Sequence, residues 1–143
     1  MRRTFRIALR VLGTLGAVVV LLVLWLLPRT TSWPPIADAA TLARDCEALA
    51  ADFWAGRVPD ASGRRRGDPG WGNRVAPRDW PESVRALNPQ PHFVRVDAED
   101  VSIFQSAGAF GGWGVVVCLA DTPCADGLVA TDHPRVFHFE TDH

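Results

Sequence analysis

Seventeen consecutive positions from Val11 to Leu27 carry no charge, and the apolar stretch runs back to Ile7 broken only by Arg10. A helix over residues 7–27 is about 31 Å long at 1.5 Å per residue, close to the roughly 30 Å hydrocarbon core of a bilayer. The pattern predicts a transmembrane signal anchor, with Arg10 reaching the headgroups, Trp25 at the far interface and Pro28 ending the helix. Two rival readings are weaker. The one suitable cleavage site, Ala37-Asp38-Ala39, lies ten residues beyond Leu27, and Arg2-Arg3-Thr4-Phe5 has a twin-arginine form with almost no chain ahead of it. Arg2, Arg3, Arg6 and Arg10 precede the stretch while only Arg29 and Arg44 follow closely. This asymmetry is expected to keep residues 1–6 in the cytoplasm and to put the chain beyond residue 27 outside the plasma (inner) membrane of a bacterium, as a single-pass protein.

Residues 28–35, including Thr30-Thr31-Ser32-Trp33-Pro34-Pro35, read as a linker, with Trp33 near the headgroups, and residues 36–143 as an extracytoplasmic domain. From Ile36 to Ala55 the apolar residues Leu42, Cys46, Leu49 and Phe53 recur at helical spacing, and Gly56 with Val58-Pro59 supplies the stop. Arg57 to Ala76 has no period and reads as a long loop. Asp79-Trp80-Pro81-Glu82 has the grammar of a helix start, giving a short helix to Leu87 that buries Val84 and Leu87.

Beyond Pro91 the period changes to alternation. His92–Val96, Val101–Gln105, Trp113–Leu119 and Arg135–Glu140 each read as a strand, with turns at 97–100 and 107–112. The expected fold class is α+β: an N-terminal transmembrane helix, one amphipathic helix and a short helix, then an antiparallel four-stranded meander. The third strand, apolar on both faces, is expected at the centre, and Pro134 marks the last as an edge or a late start.

The apolar anchor, the helix, the run Trp80-Pro81-Glu82-Ser83-Val84-Arg85-Ala86-Leu87-Asn88-Pro89, then Val94, Val96, Val101-Ser102-Ile103 and Trp113-Gly114-Val115-Val116-Val117 together resemble small uncharacterised membrane-anchored bacterial proteins. The resemblance covers roughly residues 78–140. It implies the topology and brings no activity, ligand or catalytic residue with it.

Composition narrows the function classes. With 48% hydrophobic and 22% charged residues the chain suits a folded domain and not a disordered one. The net charge of −1 divides into +4 over residues 1–27 and −5 over the remainder, where 11 Arg face 16 acids. An acidic domain is a poor partner for phosphate backbones, so nucleic acid is not expected. All fifteen basic residues are Arg, which removes Schiff-base and P-loop lysines.

Cys118 and Cys124, in an oxidising compartment, are suited to a disulfide closing a small loop, with free thiols or a bond from Cys46 as the alternatives. Asp132, His133 and His138 are residue types that bind zinc-like ions, although solvated turn residues have the same composition. Arg64, Arg65 and Arg66, with Trp71 nearby, offer bidentate donors to an anionic polymer or to lipid headgroups, against the plain reading of a solvated loop. Asp97, Glu99 and Asp100 fall in a turn, where water keeps carboxylates at ordinary acidity. No G-x-S-x-G, H-E-x-x-H or G-x-G-x-x-G signature is present, and Gly108–Gly114 reads as a turn.

No catalytic residue or cofactor is assigned. The reading is a membrane-anchored binding or assembly module whose partners are the lipid bilayer, through the N-terminal helix, and an envelope protein or anionic polymer, through the exposed sheet face or the 57–76 loop. The alternatives are a metal-dependent enzyme through Asp132, His133 and His138, and a structural accessory subunit pairing through Gly13 and Ala17.

Overall fold

The structure is a computed structural model that describes residues 33–65, 72–108, 111–121 and 123–142, together with Gly16 and Val18. The chain divides into two compact units, Met1–Ser32 and Trp33–His143. Gly16 and Val18, in the first unit, are helical; the rest of the span expected over residues 7–27 lies outside the described residues.

In the second unit α1 spans Ala39–Trp54. Asp38 caps it by accepting the Thr41 amide at 2.9 Å, so the helix begins three residues after the expected Ile36. Its end is a Schellman arrangement: Gly56, at φ 78°, donates to the Phe53 carbonyl at 3.1 Å and Arg57 to the Asp52 carbonyl at 2.9 Å. Leu42, Ala43, Cys46, Leu49, Ala50 and Phe53 form its buried stripe. A 3-10 turn at Pro77–Asp79 precedes α2, a single turn over Glu82–Arg85. Ser83 ties α2 to α1 by donating to Asp45 at 2.7 Å, and Trp80 is buried with its indole N–H on the Val75 carbonyl at 2.9 Å.

The sheet corrects the expected architecture. Six antiparallel strands, β1 Arg74–Val75, β2 Phe93–Val96, β3 Asp100–Gly108, β4 Gly111–Cys118, β5 Val129–Ala130 and β6 Val136–Asp142, lie in the order β1-β2-β3-β4-β6-β5. This is not a four-stranded meander, and among the described residues no helix is long and apolar enough to cross a membrane. The strands missed by the alternation, β1 and β5, have two residues each, too short to show a period. β4 is interior, as its two apolar faces indicate, but β6 is interior as well. β6 begins at Val136, after Pro134, and is interior, so Pro134 marks the late start and not an edge.

The expected glycine turn is also corrected, because Gly111, Gly112 and Gly114 belong to β4. A Cβ on Gly114 would overlap the Ile103 carbonyl, so the close approach of β3 and β4 requires glycine there. Nor is the 57–76 segment without structure where it is described. Asp60 bridges to Val75, and its carboxylate accepts the amides of Ser62, Asn73 and Arg74 at 2.8, 3.2 and 3.0 Å. Burial alone raises the pKa of Asp60, but these amide bonds outweigh it and hold the carboxyl below its usual range.

Register sorts the strand side chains onto two faces. Val94, Val96, Val101, Ile103, Val115, Val117 and Val136 meet α1 in the main core. Phe104, Val116, Cys118, Phe137 and Phe139 occupy the other face, where the residues packed against them are Phe93, Cys124 and Leu128.

Candidate functional site

The face opposite α1 carries a row in which Phe93 is paired with Phe104, Phe104 with Gly114, and Gly114 with Phe139. Because Gly114 contributes no side chain, the rings on either side meet directly. Phe104 stacks on Phe93 at 4.3 Å and meets Phe139 edge-to-face at 4.9 Å. The Cys118–Cys124 disulfide, with Cα atoms 5.4 Å apart, returns the chain over this face and brings Cys124, Ala125, Asp126 and Leu128 against it. Between loop and sheet lies a cleft of about 330 Å³, walled by Phe104, Val116, Phe139 and Leu128. That volume lies at the small end of ligand pockets.

Polar groups converge on the rim of the apolar cleft. Asp100 opens β3 and accepts the Ser102 hydroxyl at 2.7 Å, and Arg95 from β2 is held by Asp97 at 2.6 Å. Burial pushes the Asp100 carboxyl above its ordinary range; the Ser102 bond and Arg95 oppose the shift, and Asp97 and Glu99 add to it. The reading of Asp100 as a water-exposed turn residue is therefore corrected. It is a half-buried acid at the first position of a strand, where desolvation disfavours its charge.

The structure separates the metal candidates. Asp132 and His138 line a second recess of about 340 Å³ together with Trp33, Pro34 and Pro35, whereas His133 is used locally. Its Nδ1 accepts the Arg135 amide at 3.2 Å and its own amide donates to Thr131 at 3.1 Å. Among the described residues no group of three His, Cys, Asp or Glu side chains is placed to hold a metal ion. His138 is buried under Trp33, whose ring is 5.0 Å away and nearly parallel, and Trp33 also meets Trp113 at 6.2 Å. Burial lowers the basicity of His138, opposed by a bond with the Gly114 backbone. Trp33 thus belongs to the folded unit as part of its covering.

Of the arginine candidates, Arg64 and Arg65 are exposed, and Arg66 and Trp71 lie outside the described residues, as do Gly13 and Ala17. Cys46 is a free thiol in the core, and burial, helped by Asp45, pushes it up to about 12, which makes it inert as a nucleophile at neutral pH. The cleft residues were missed as a set because they come from four strands and the cross-linked loop. One signal was present: Phe93, Phe104 and Phe139 alternate with the valines of the core face. Comparison with family models, curated proteins and solved structures finds no match to this chain, so the site is read from its geometry alone.

Proposed function

We propose that the chain is a binding module of the bacterial envelope, held at the membrane by its apolar N-terminal stretch, and that the cleft on the sheet face opposite α1 takes the ligand. The observation that carries this is the cleft itself: aromatic walls, a partly desolvated Asp100 on the rim and a disulfide-pinned loop as its lid. A concave apolar site with a few convergent polar groups and a perturbed acid is what small-molecule recognition requires. The disulfide supports an oxidising compartment, in agreement with the four arginines ahead of the apolar stretch.

The test is a set of small fragments, neutral and of both charges, titrated into the full chain in maltoside micelles and followed by amide chemical shifts. Saturable shifts should gather at Ser102, Val116, Leu128 and Phe139. Shifts gathered instead around Trp33 and Ala130, or absent from the cleft for every fragment, would reject the reading.

A further inference from the structure

We infer that the ligand of the cleft is a small organic cation, an ammonium head on an apolar body, seated with its body against Phe104 and Phe139 and its charge between Asp100 and Asp126. The inference rests on the binding-module reading and names its ligand class.

Three features of the cleft select a cation. The rings of Phe104 and Phe139 form its wall, and the negative face of a phenyl ring attracts an alkylammonium group, most strongly where water is displaced. The charges on the rim are unequal. Asp100 approaches from β3 and Asp126 from the cross-linked loop, and the cation nearest them, Arg95, is already engaged by Asp97 at 2.6 Å. An anion would meet three carboxylates, Asp100, Asp126 and Glu140, against the single guanidinium of Arg95, whose charge Asp97 already offsets, and a neutral apolar guest would leave Asp100 further desolvated and unpaired. Finally, among the described residues the Asp100 carboxylate accepts one side-chain hydrogen bond, from the Ser102 hydroxyl to Oδ1. An incoming ammonium can therefore be met by carboxylate oxygen on two sides of the cleft.

Size agrees with this choice. A cleft of about 330 Å³ is suited to a monocyclic amine and not to a polymer segment. Affinity should rise with pH through the acid range, because a cation binds Asp100 in its ionised form and burial holds that form back. The charged groups acting on Asp100 are Asp97 and Arg95 from β2 and its end and Glu99 beside it, and the cleft is also lined by Asp126 from the loop and Glu140 from β6.

The experiment uses the full chain in dodecyl maltoside, a detergent without an ammonium group. Benzyltrimethylammonium, benzyl alcohol and phenylacetate serve as cationic, neutral and anionic probes of similar shape. Benzyltrimethylammonium should give saturable shifts at Ser102, Leu128 and Phe139, at least tenfold tighter than either counterpart. Asp100→Asn, which keeps the shape and the acceptor for Ser102, should weaken the cation about tenfold, the loss of roughly one ion-pair contact. Equal or tighter binding of benzyl alcohol or phenylacetate in the cleft overturns the cation and leaves the binding module standing. Unchanged cation affinity in Asp100→Asn likewise overturns the role given to this carboxylate. Silence of all three probes at the cleft overturns both.

Discussion

One sheet is covered in two different ways. On one face α1 lays a continuous stripe of small and large apolar side chains, and the core there unites Leu42, Cys46, Leu49 and Phe53 with valines from five strands and with Trp80 and Val84. On the other face a loop, held by one disulfide over a sequence separation of 6, covers a row of phenylalanines and leaves a cleft. A helix supplies a side chain every 1.5 Å of rise and satisfies its own backbone, so it can close a surface completely. An irregular loop must keep its backbone near water, and what it covers stays partly open. The closed face holds the larger core, and the open face keeps the cleft that we propose as the recognition site.

Removing a ring from each face is the most severe way to test this contrast. Phe53 is fully buried between α1 and the sheet, and Phe53→Ala should cost about 3–5 kcal/mol. Phe139 lines the cleft, where water can enter the space left by the ring, so Phe139→Ala should cost about half as much or less. Urea unfolding of both variants provides the measurement. Equal losses would show that the second face is as tightly packed as the first.

Cutting the loop free comes next. In a chain-entropy account, a cross-link closing so short a loop contributes about 2 kcal/mol, so Cys118→Ser with Cys124→Ser should lose roughly that amount. Amide exchange should rise at β4 and β6 positions facing the cleft and stay slow in α1. An equal rise in α1 would mean that the two faces unfold as one unit. The same cysteines report the compartment. In intact spheroplasts a membrane-impermeant maleimide should label them only after reduction, and labelling only after lysis would reverse the proposed orientation. Cys46 should resist the reagent until the protein is denatured, since its thiol is buried and pushed up to about 12.

The two faces were unequally legible in the sequence. The stripe on α1 follows a local period, and Leu42, Cys46, Leu49 and Phe53 announce it without help from the rest of the chain. The four longer strands follow from alternation in the same way. The cleft depends on register: which phenylalanine lies beside Gly114, and that Asp100 pairs with Cys118 and so comes beneath the disulfide, are set by pairings between distant segments. β1 and β5 escaped for a related reason. β1 is held by Asp60 and its amide donors across the 57–76 segment, and β5 by its register with Phe137 and His138, neither of which leaves a local pattern. The disulfide was legible because the short spacing of Cys118 and Cys124 is a local feature of the sequence.

The smallest expected effect distinguishes the faces by charge. Among the described residues no carboxylate is buried in the helix-covered core, while the cleft face holds Asp100 half-buried. Its folded pKa is raised from the ordinary 3.8, so the folded chain takes up the proton more readily than the unfolded one. Stability from this group is therefore greatest at low pH and declines as pH rises from 3.8 through the folded value. Asp60 has the opposite sign: its amide bonds lower its pKa, and its contribution is lost as pH falls through that lowered value. Asp100→Asn should accordingly leave stability unchanged or raise it by no more than about 0.5 kcal/mol at neutral pH, the partial solvation of the group keeping the gain small. The difference between wild type and variant should reverse in favour of wild type only as pH is lowered toward 3.8, where the proton returns to Asp100. A difference independent of pH would mean that water reaches this carboxylate as freely in the folded chain as in the unfolded one. The open face would then differ from the closed one in packing alone, with no stored electrostatic cost for a bound cation to relieve.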